Sequence, residues 1–316
     1  MARARQAHRS TEPVDGVLLL DKPSGITSNH ALQRARRLLN AAKAGHTGTL
    51  DPLASGLLPL TFGEATKFSA GLLDADKRYL ATVKFGVRTT TADADGEVIE
   101  TRPVAFDRAA LAAALSRFLG SITQVPPMHS ALKRDGKALY EYARAGVEVE
   151  RAPRAVTIHR LDLCSFDGGE STAVIDVACS KGTYVRTLAE DLGSVLDCGA
   201  HLAALRRTDV GALSLERSVA LDVLETMPSA VRREWLLPAD ALLSALPRVA
   251  LGETQARRFL HGNALELGGV PGRVRVYGPD ERLLGTAEID EHGALNPRRL
   301  IATHSSSSAT ADADQT

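Results

Sequence analysis

The stretch Ala44-Gly45-His46-Thr47-Gly48-Thr49-Leu50-Asp51-Pro52-Leu53-Ala54-Ser55-Gly56-Leu57-Leu58-Pro59 follows neither a helical nor a strand period. Gly45, Gly48, Gly56, Pro52 and Pro59 interrupt both, so it reads as an irregular but ordered loop. It carries one carboxylate. Pro52 biases Asp51 toward an extended backbone, and Leu50, Leu53, Leu57 and Leu58 would partly desolvate it. A carboxylate in such a setting needs a cation or backbone donors to stay ionised. Two readings are open at this point: Asp51 hydrogen-bonds its own turn, or it is a held, ionised nucleophile. The glycine spacing lacks the Gly-Lys-Ser/Thr ending of a phosphate-binding loop.

Working outward, Val14 to Leu20 reads as a strand stopped by the turn Asp21-Lys22-Pro23-Ser24-Gly25. Ser28 is a suitable N-cap for a helix carrying Ala31, Leu32, Ala35, Leu38 and Leu39 on one side, with Arg34, Arg36 and Arg37 largely on the other. Downstream, Tyr79 to Val87 alternates as a strand, with Tyr79, Ala81, Val83 and Phe85 sharing a face. Asp107 caps a helix with Leu111, Leu115 and Phe118. Val174 to Ala178 is a further strand, and Lys181-Gly182-Thr183 leads into a helix with Tyr184, Leu188, Leu192 and Val195 on one side. Strands and helices mix without a regular βαβ rhythm, which favours α+β over a doubly wound sheet. From about Ala245 short apolar runs separated by turns suggest a small, mostly β module. The Ser/Ala/Asp-rich tail from 304 to 316 is expected to be disordered and the basic opening segment, 1–13, to be flexible.

The 316 residues hold 38 Lys/Arg and 38 Asp/Glu, so overall charge does not announce a nucleic-acid ligand. The first 67 residues, with nine basic and five acidic side chains, are more positive. The three cysteines, Cys164, Cys179 and Cys198, have no metal-ligand spacing and read as free thiols in a reducing compartment. No apolar stretch approaches the ~20 residues of a membrane helix, and no signal-peptide pattern opens the chain. A cytoplasmic protein is expected. A glycoside hydrolase would normally need two carboxylates in one site; only Asp51 stands in a suitable context.

The loop, taken with Gly16 to Gly25, Gly63-Glu64-Ala65-Thr66-Lys67, Asp76-Lys77-Arg78-Tyr79, Ser130 to Lys133, Tyr140 to Arg144, Ser180 to Arg186 and Cys198 to Leu202 in that order, resembles the TruB family of tRNA pseudouridine synthases over roughly residues 14–215. The resemblance implies an α+β pseudouridine synthase domain over 14–244, with an RNA-gripping insertion at about 89–147, and a small PUA-like RNA-binding domain over 245–303. It implies a catalytic set of Asp51 as nucleophile, Arg186 as its basic partner and Tyr79 stacked on the target base. His46, Tyr184 and Leu205 are implied to contact the substrate. The substrate is uridine 55 in the T-loop of tRNA, isomerised without cofactor or metal by a stand-alone, monomeric chain that uses no guide RNA. Arg186 would sit at a helix start, where the helix dipole disfavours a cation, which itself points to an anionic partner. Arg206, Arg207 and the basic early helix are candidate phosphate contacts, and Lys22, Pro23 and Asp21 candidate supports of the loop. The family usually has tyrosine where this chain has His129, which puts local packing or an RNA contact there in question. Two other roles remain open: a tRNA-folding chaperone without catalysis, and a guide-dependent synthase of the archaeal or eukaryotic type.

Overall fold

The computed structural model describes residues 13–302. The expectations for residues 1–12 and for the tail therefore lie outside the described residues. Tertiary contacts divide the chain into two units between Leu242 and Leu243.

The run Val17-Leu18-Leu19-Leu20 becomes β1 (Gly16–Lys22), with consecutive residues buried, as expected of a strand covered on both faces. The helix α1 (Ser28–Leu38) and strands β2 (Ala44–His46), β3 (Ser55–Phe62) and β4 (Lys77–Phe85) follow. Then come α2 (Arg108–Ser116), β5 (Gly120–Gln124), α3 (Leu139–Arg144), β6 (Arg154–Asp167), β7 (Thr172–Cys179), α4 (Val185–Val195) and β8 (Ala200–Val210). One mixed sheet runs in the order β1-β3-β8-β4-β7-β6-β5, with the short strand Val219–Ala220 beyond β1. All these pairings are antiparallel except β3–β8 and β1 with Val219–Ala220. The α+β class read from the sequence is the one observed.

Two apolar clusters form the core of this unit. One packs Ala81, Val83 and Phe85 of β4 against Leu111 and Leu115 of α2 and Leu188 and Leu192 of α4. The other packs Ala31, Leu32 and Ala35 of α1 against Leu18, Leu20, Leu58 and Leu60. Tyr79 and Leu205 touch both clusters, so they sit at the junction.

Three local expectations need correction. The stretch 44–59 is not irregular throughout: β2 and β3 occupy its ends, leaving 47–54 as the loop. Gly56 does not break β3 because it lies where β3 meets β8. A Cβ there would stand 2.3 Å from the Arg207 carbonyl oxygen, and its φ is +98°, so only glycine fits. Gly56→Ala is expected to cost at least about 3 kcal/mol of stability. Urea denaturation checks this, and a loss below about 1 kcal/mol would refute the close-packing argument. Second, Thr27 rather than Ser28 caps α1, accepting a hydrogen bond from the His30 N–H at 3.1 Å. Ser28 instead exchanges two buried bonds with the Leu50 backbone, at 2.8 and 2.9 Å. Third, Tyr184 is the N-cap of α4 rather than part of its apolar side. The Asp107 cap of α2 forms, with Ala110 N–H donating at 2.8 Å.

The second unit is built on β9 (Arg248–Ala250), α5 (Glu253–Leu260), β10 (Leu265–Glu266), β11 (Gly272–Tyr277), β12 (Leu283–Ile289) and β13 (Ala294–Leu300). Its sheet runs β9-β11-β12-β13-β10. Phe259, Val276 and Leu295, all buried, lie at its centre. Among the described residues no helix is long and apolar enough to cross a membrane.

Candidate active site

The loop 47–54 is fixed from several sides. Ser28 holds Leu50, Gly25 N–H donates to the Pro52 carbonyl at 2.8 Å, and Thr47 N–H donates to the Pro59 carbonyl at 3.1 Å. Asp51 is thereby presented at the wall of a cavity of about 580 Å³, within the size range of ligand sites. The start of α1 (Thr27 to Asn29), His46, the loop 91–95, the turn His129 to Ala131, Tyr140, Arg144 and Arg186 complete the lining.

Arg186, second residue of α4, is 5% exposed. Its Nη2 lies 2.9 Å from Asp51 Oδ2 and donates to the His129 carbonyl at 2.6 Å; its Nη1 donates to the Thr91 carbonyl at 3.2 Å and stands 3.6 Å from Asp93 Oδ2. The anionic partner expected from its place at a helix start is present. Burial pushes the Asp51 carboxyl above its ordinary value, the Arg186 charge opposes this, and the Asp93 charge adds to it. The Asp51 side chain remains 44% exposed, so an oxygen faces the cavity while the other is held. This is a carboxylate oriented by a fixed guanidinium, suited to nucleophilic attack.

Asp93 was not singled out in the sequence. It is 5% exposed, accepts from Thr91 Oγ1 at 2.5 Å, and its loop is bonded to β8 through Ala94 N–H to Leu202 O and Leu202 N–H to Ala92 O, both 3.0 Å. In sequence, Thr89 to Gly96 reads as an ordinary polar turn. The doubled acid Asp93/Asp95 was the available signal.

Lys22 is fully buried. Its Nζ donates to the carbonyls of Pro23 and Ile26 at 2.8 and 2.7 Å. Burial lowers its pKa to about 8, with the Asp51 charge resisting. It ties the turn 23–26, and through Gly25 the loop, to β1. Asp21 pairs with Arg206 at 2.6 Å.

His46 lines the cavity with a buried Nδ1 that finds no partner. Burial, and then the Arg207 charge, push its pKa down, so the imidazole is neutral at pH 7. Tyr79, on β4, lies within electrostatic reach of Asp51 and Arg207. Leu205 stands beside it at the core junction, paired in register with Ala81. Neither lines the cavity. Nor does Tyr184, whose backbone is bracketed by Gln124 at 3.0 and 3.2 Å and whose ring lies 5.2 Å below the Arg154 guanidinium. The cavity thus brings together Asp51, Arg186 and His46, with Tyr79 within electrostatic reach of the carboxylate and, like Tyr184, outside the lining. His129 joins the wall and gives Arg186 a backbone acceptor.

The expected phosphate contacts are largely committed elsewhere. Arg207 is 1% exposed and cannot reach a phosphate. Arg34 forms a two-point pair with Glu225, at 2.8 and 2.6 Å, and Arg36 donates to the carbonyls of Ala41 and Ala42. Arg37 stays exposed. Cys164, Cys179 and Cys198 are free thiols, Cys164 exposed and the other two buried. Among the described residues no group of three His, Cys, Asp or Glu could hold a metal ion.

Three family models match in succession. Residues 36–185 match the N-terminal domain of the TruB family pseudouridylate synthases, residues 186–244 the tRNA pseudouridylate synthase B C-terminal domain, and residues 247–301 the C-terminal part of pseudouridine synthase II TruB. The chain is 60% identical over 309 residues to the tRNA pseudouridine synthase B of Burkholderia mallei, covering 95% of this chain and 97% of that one. It is 56% identical over 304 residues to that of Aromatoleum aromaticum, covering 96% and 98%. In fold it is similar to a chain of a Cbf5-Nop10-Gar1 complex, with TM-score 0.70, 23% identity, and 91% and 85% of the two chains covered. A chain of an H/ACA RNP bound to a substrate RNA containing 2'-deoxyuridine gives TM-score 0.69 at 21% identity, covering 95% and 93%. With such identity over almost its whole length, the chain belongs to the TruB family of pseudouridine synthases.

Proposed function

We propose that the protein isomerises uridine 55 in the T-loop of tRNA to pseudouridine, as a single chain without a guide RNA. The observation that carries this reading is the Asp51 carboxylate held at 2.9 Å by the buried Arg186 guanidinium on the wall of an open cavity. The names of the relatives supply the class of RNA. The target base turns out of its stack into the cavity, since the reacting atoms are out of reach inside one. Asp51 assists cleavage of the N1–C1′ bond. Arg186 favours its ionised form against the effect of burial. By the family resemblance Tyr79 stacks on the freed base and Tyr184 and Leu205 border it, which requires the bound base to reach past Asp51, since none of the three lines the cavity. His46 fills the space the base has left. The exposed pairs Lys137 over the Tyr142 ring, at 4.7 Å, and Arg144 over the Tyr140 ring, at 5.3 Å, lie in the insertion and offer cations and aromatic faces to RNA. The small β unit makes further RNA contacts.

The test is tritium release from bare T-loop RNA carrying 5-labelled uridine, with purified protein and no guide. Release at position 55 is expected, because the C5 hydrogen is lost when the base rejoins the sugar through carbon. RNA binding with no release would leave the chaperone role instead.

A further inference from the structure

Among the described residues no carboxylate balances Arg207, a buried cation. It is among the largest fully buried side chains of the protein. On β8 it stands in register directly opposite Tyr79 of β4, and its backbone is the surface against which Gly56 of β3 packs. Nε donates to the Leu57 carbonyl at 2.8 Å and Nη1 reaches the Thr49 carbonyl at 3.5 Å; Nη2 completes no hydrogen bond. The acidic group that acts on the guanidinium is the Tyr79 phenol. Three other basic groups, Lys22, His46 and Lys77, feel its charge as repulsion. An apolar side chain would fill this place more cheaply, since a guanidinium loses its hydration here and gains two carbonyl acceptors and a phenol but no carboxylate among the described residues. What the guanidinium adds is positive charge at the phenol oxygen.

We infer that Arg207 is a positioning residue for the isomerisation, holding the Tyr79 phenol and stabilising the phenolate that takes the C5 proton of the rejoined base. The inference rests on the proposed reading of the site. Once the C1′–C5 bond has formed, C5 carries both the sugar and its hydrogen. The C5–H bond breaks and the proton passes to the tyrosine oxygen. The electron pair forms the C5–C6 double bond, the C6–N1 π pair moves to N1, and N1 takes a proton from water. Tyr79 returns its proton to water before the next turnover. Burial, joined by the charges of Cys179 and Asp51, pushes the Tyr79 phenol above its ordinary value, and Arg207 is the group that opposes this. With a single mobile proton, the tyrosine and the guanidinium become a neutral pair instead of a lone cation.

Single-turnover rates on T-loop RNA with hydrogen or deuterium at uridine C5 test this. For Arg207→Met, the rate is expected to fall by roughly 10²-fold, with RNA affinity kept. The deuterium isotope effect should grow, because proton removal becomes the slow step, and the rise of rate with pH should move to higher pH. Arg207→Lys, which keeps a charge but not the fork, should fall between the two. If the Met variant does not fold, the Lys variant decides alone. Variants that slow both isotopes equally, with an unmoved pH profile, would make Arg207 a mere strut and overturn the inference. Absence of tritium release from the wild-type protein would instead sink the reading of the site on which the inference rests.

Discussion

Asp51→Asn is expected to lower turnover by more than about 10⁴-fold, because neither other carboxylate on the cavity wall stands in its place: Asp93 is buried and bonded to Thr91, and Asp95 lies on the exposed side of the same loop. RNA affinity should stay within several-fold, since phosphate contacts supply most of it. The fold should not suffer. Burial raises the Asp51 pKa above 3.8, so the folded protein favours the protonated form. The stability this group contributes is present below the unfolded value and is lost as pH rises through the higher folded one. Above the folded value the ionised carboxylate is therefore a cost that Asn removes. Arg186 keeps Asp93 and two backbone carbonyls as partners. A thermal melt should thus show an unchanged or higher Tm beside the lost tritium release. The same shift places the acid limb of the wild-type pH–rate profile above the ordinary aspartate range. Turnover within tenfold of wild type, or a profile flat through that range, would remove Asp51 from the chemistry.

The fold class was legible because apolar runs of two periods alternate irregularly along the chain, and β1, β4, α2 and α4 follow from them. The site was legible in part. Asp51 stood out as a suspicious carboxylate through its Pro-flanked, glycine-rich surroundings, while its catalytic reading and the choice of Arg186 came from the family resemblance, with the helix start only adding to the latter. Other parts depend on tertiary pairing, which local pattern does not carry. Gly56 looked like a strand breaker, yet it is the residue that lets β3 approach β8. Arg207 looked like a surface cation beside Arg206. Adjacent residues on a strand face opposite ways, and here one face is solvent and the other is the junction of two cores. Asp93 gave no periodic signal, because its place is set by a short bridge to Leu202 far along the chain.

Arg186→Lys should also be severe, although it conserves charge. The guanidinium serves four acceptors at once: Asp51 at 2.9 Å, Asp93 at 3.6 Å, and the carbonyls of His129 and Thr91 at 2.6 and 3.2 Å. They lie on three separate chain segments, so the residue is also a clasp between the loop 47–54, the loop 91–95 and the turn at His129. An ammonium has three donors and no planar fork, so it cannot hold all of them in position. A fall of roughly 10²- to 10³-fold in single-turnover rate is expected. The electrostatic consequence separates this from simple loosening. With a shorter, displaced cation, Asp51 feels more of the Asp93 charge and less of its partner's, so its pKa rises further. The acid limb of the pH–rate profile should then move upward, and raising the pH should recover part of the lost rate. A second variant, Arg186→Lys combined with Asp93→Asn, removes that repulsion and should move the limb back toward the wild-type position. If the limb stays where it is in both proteins, Arg186 does not set the ionisation of Asp51, and the catalytic role assigned to the pair is wrong.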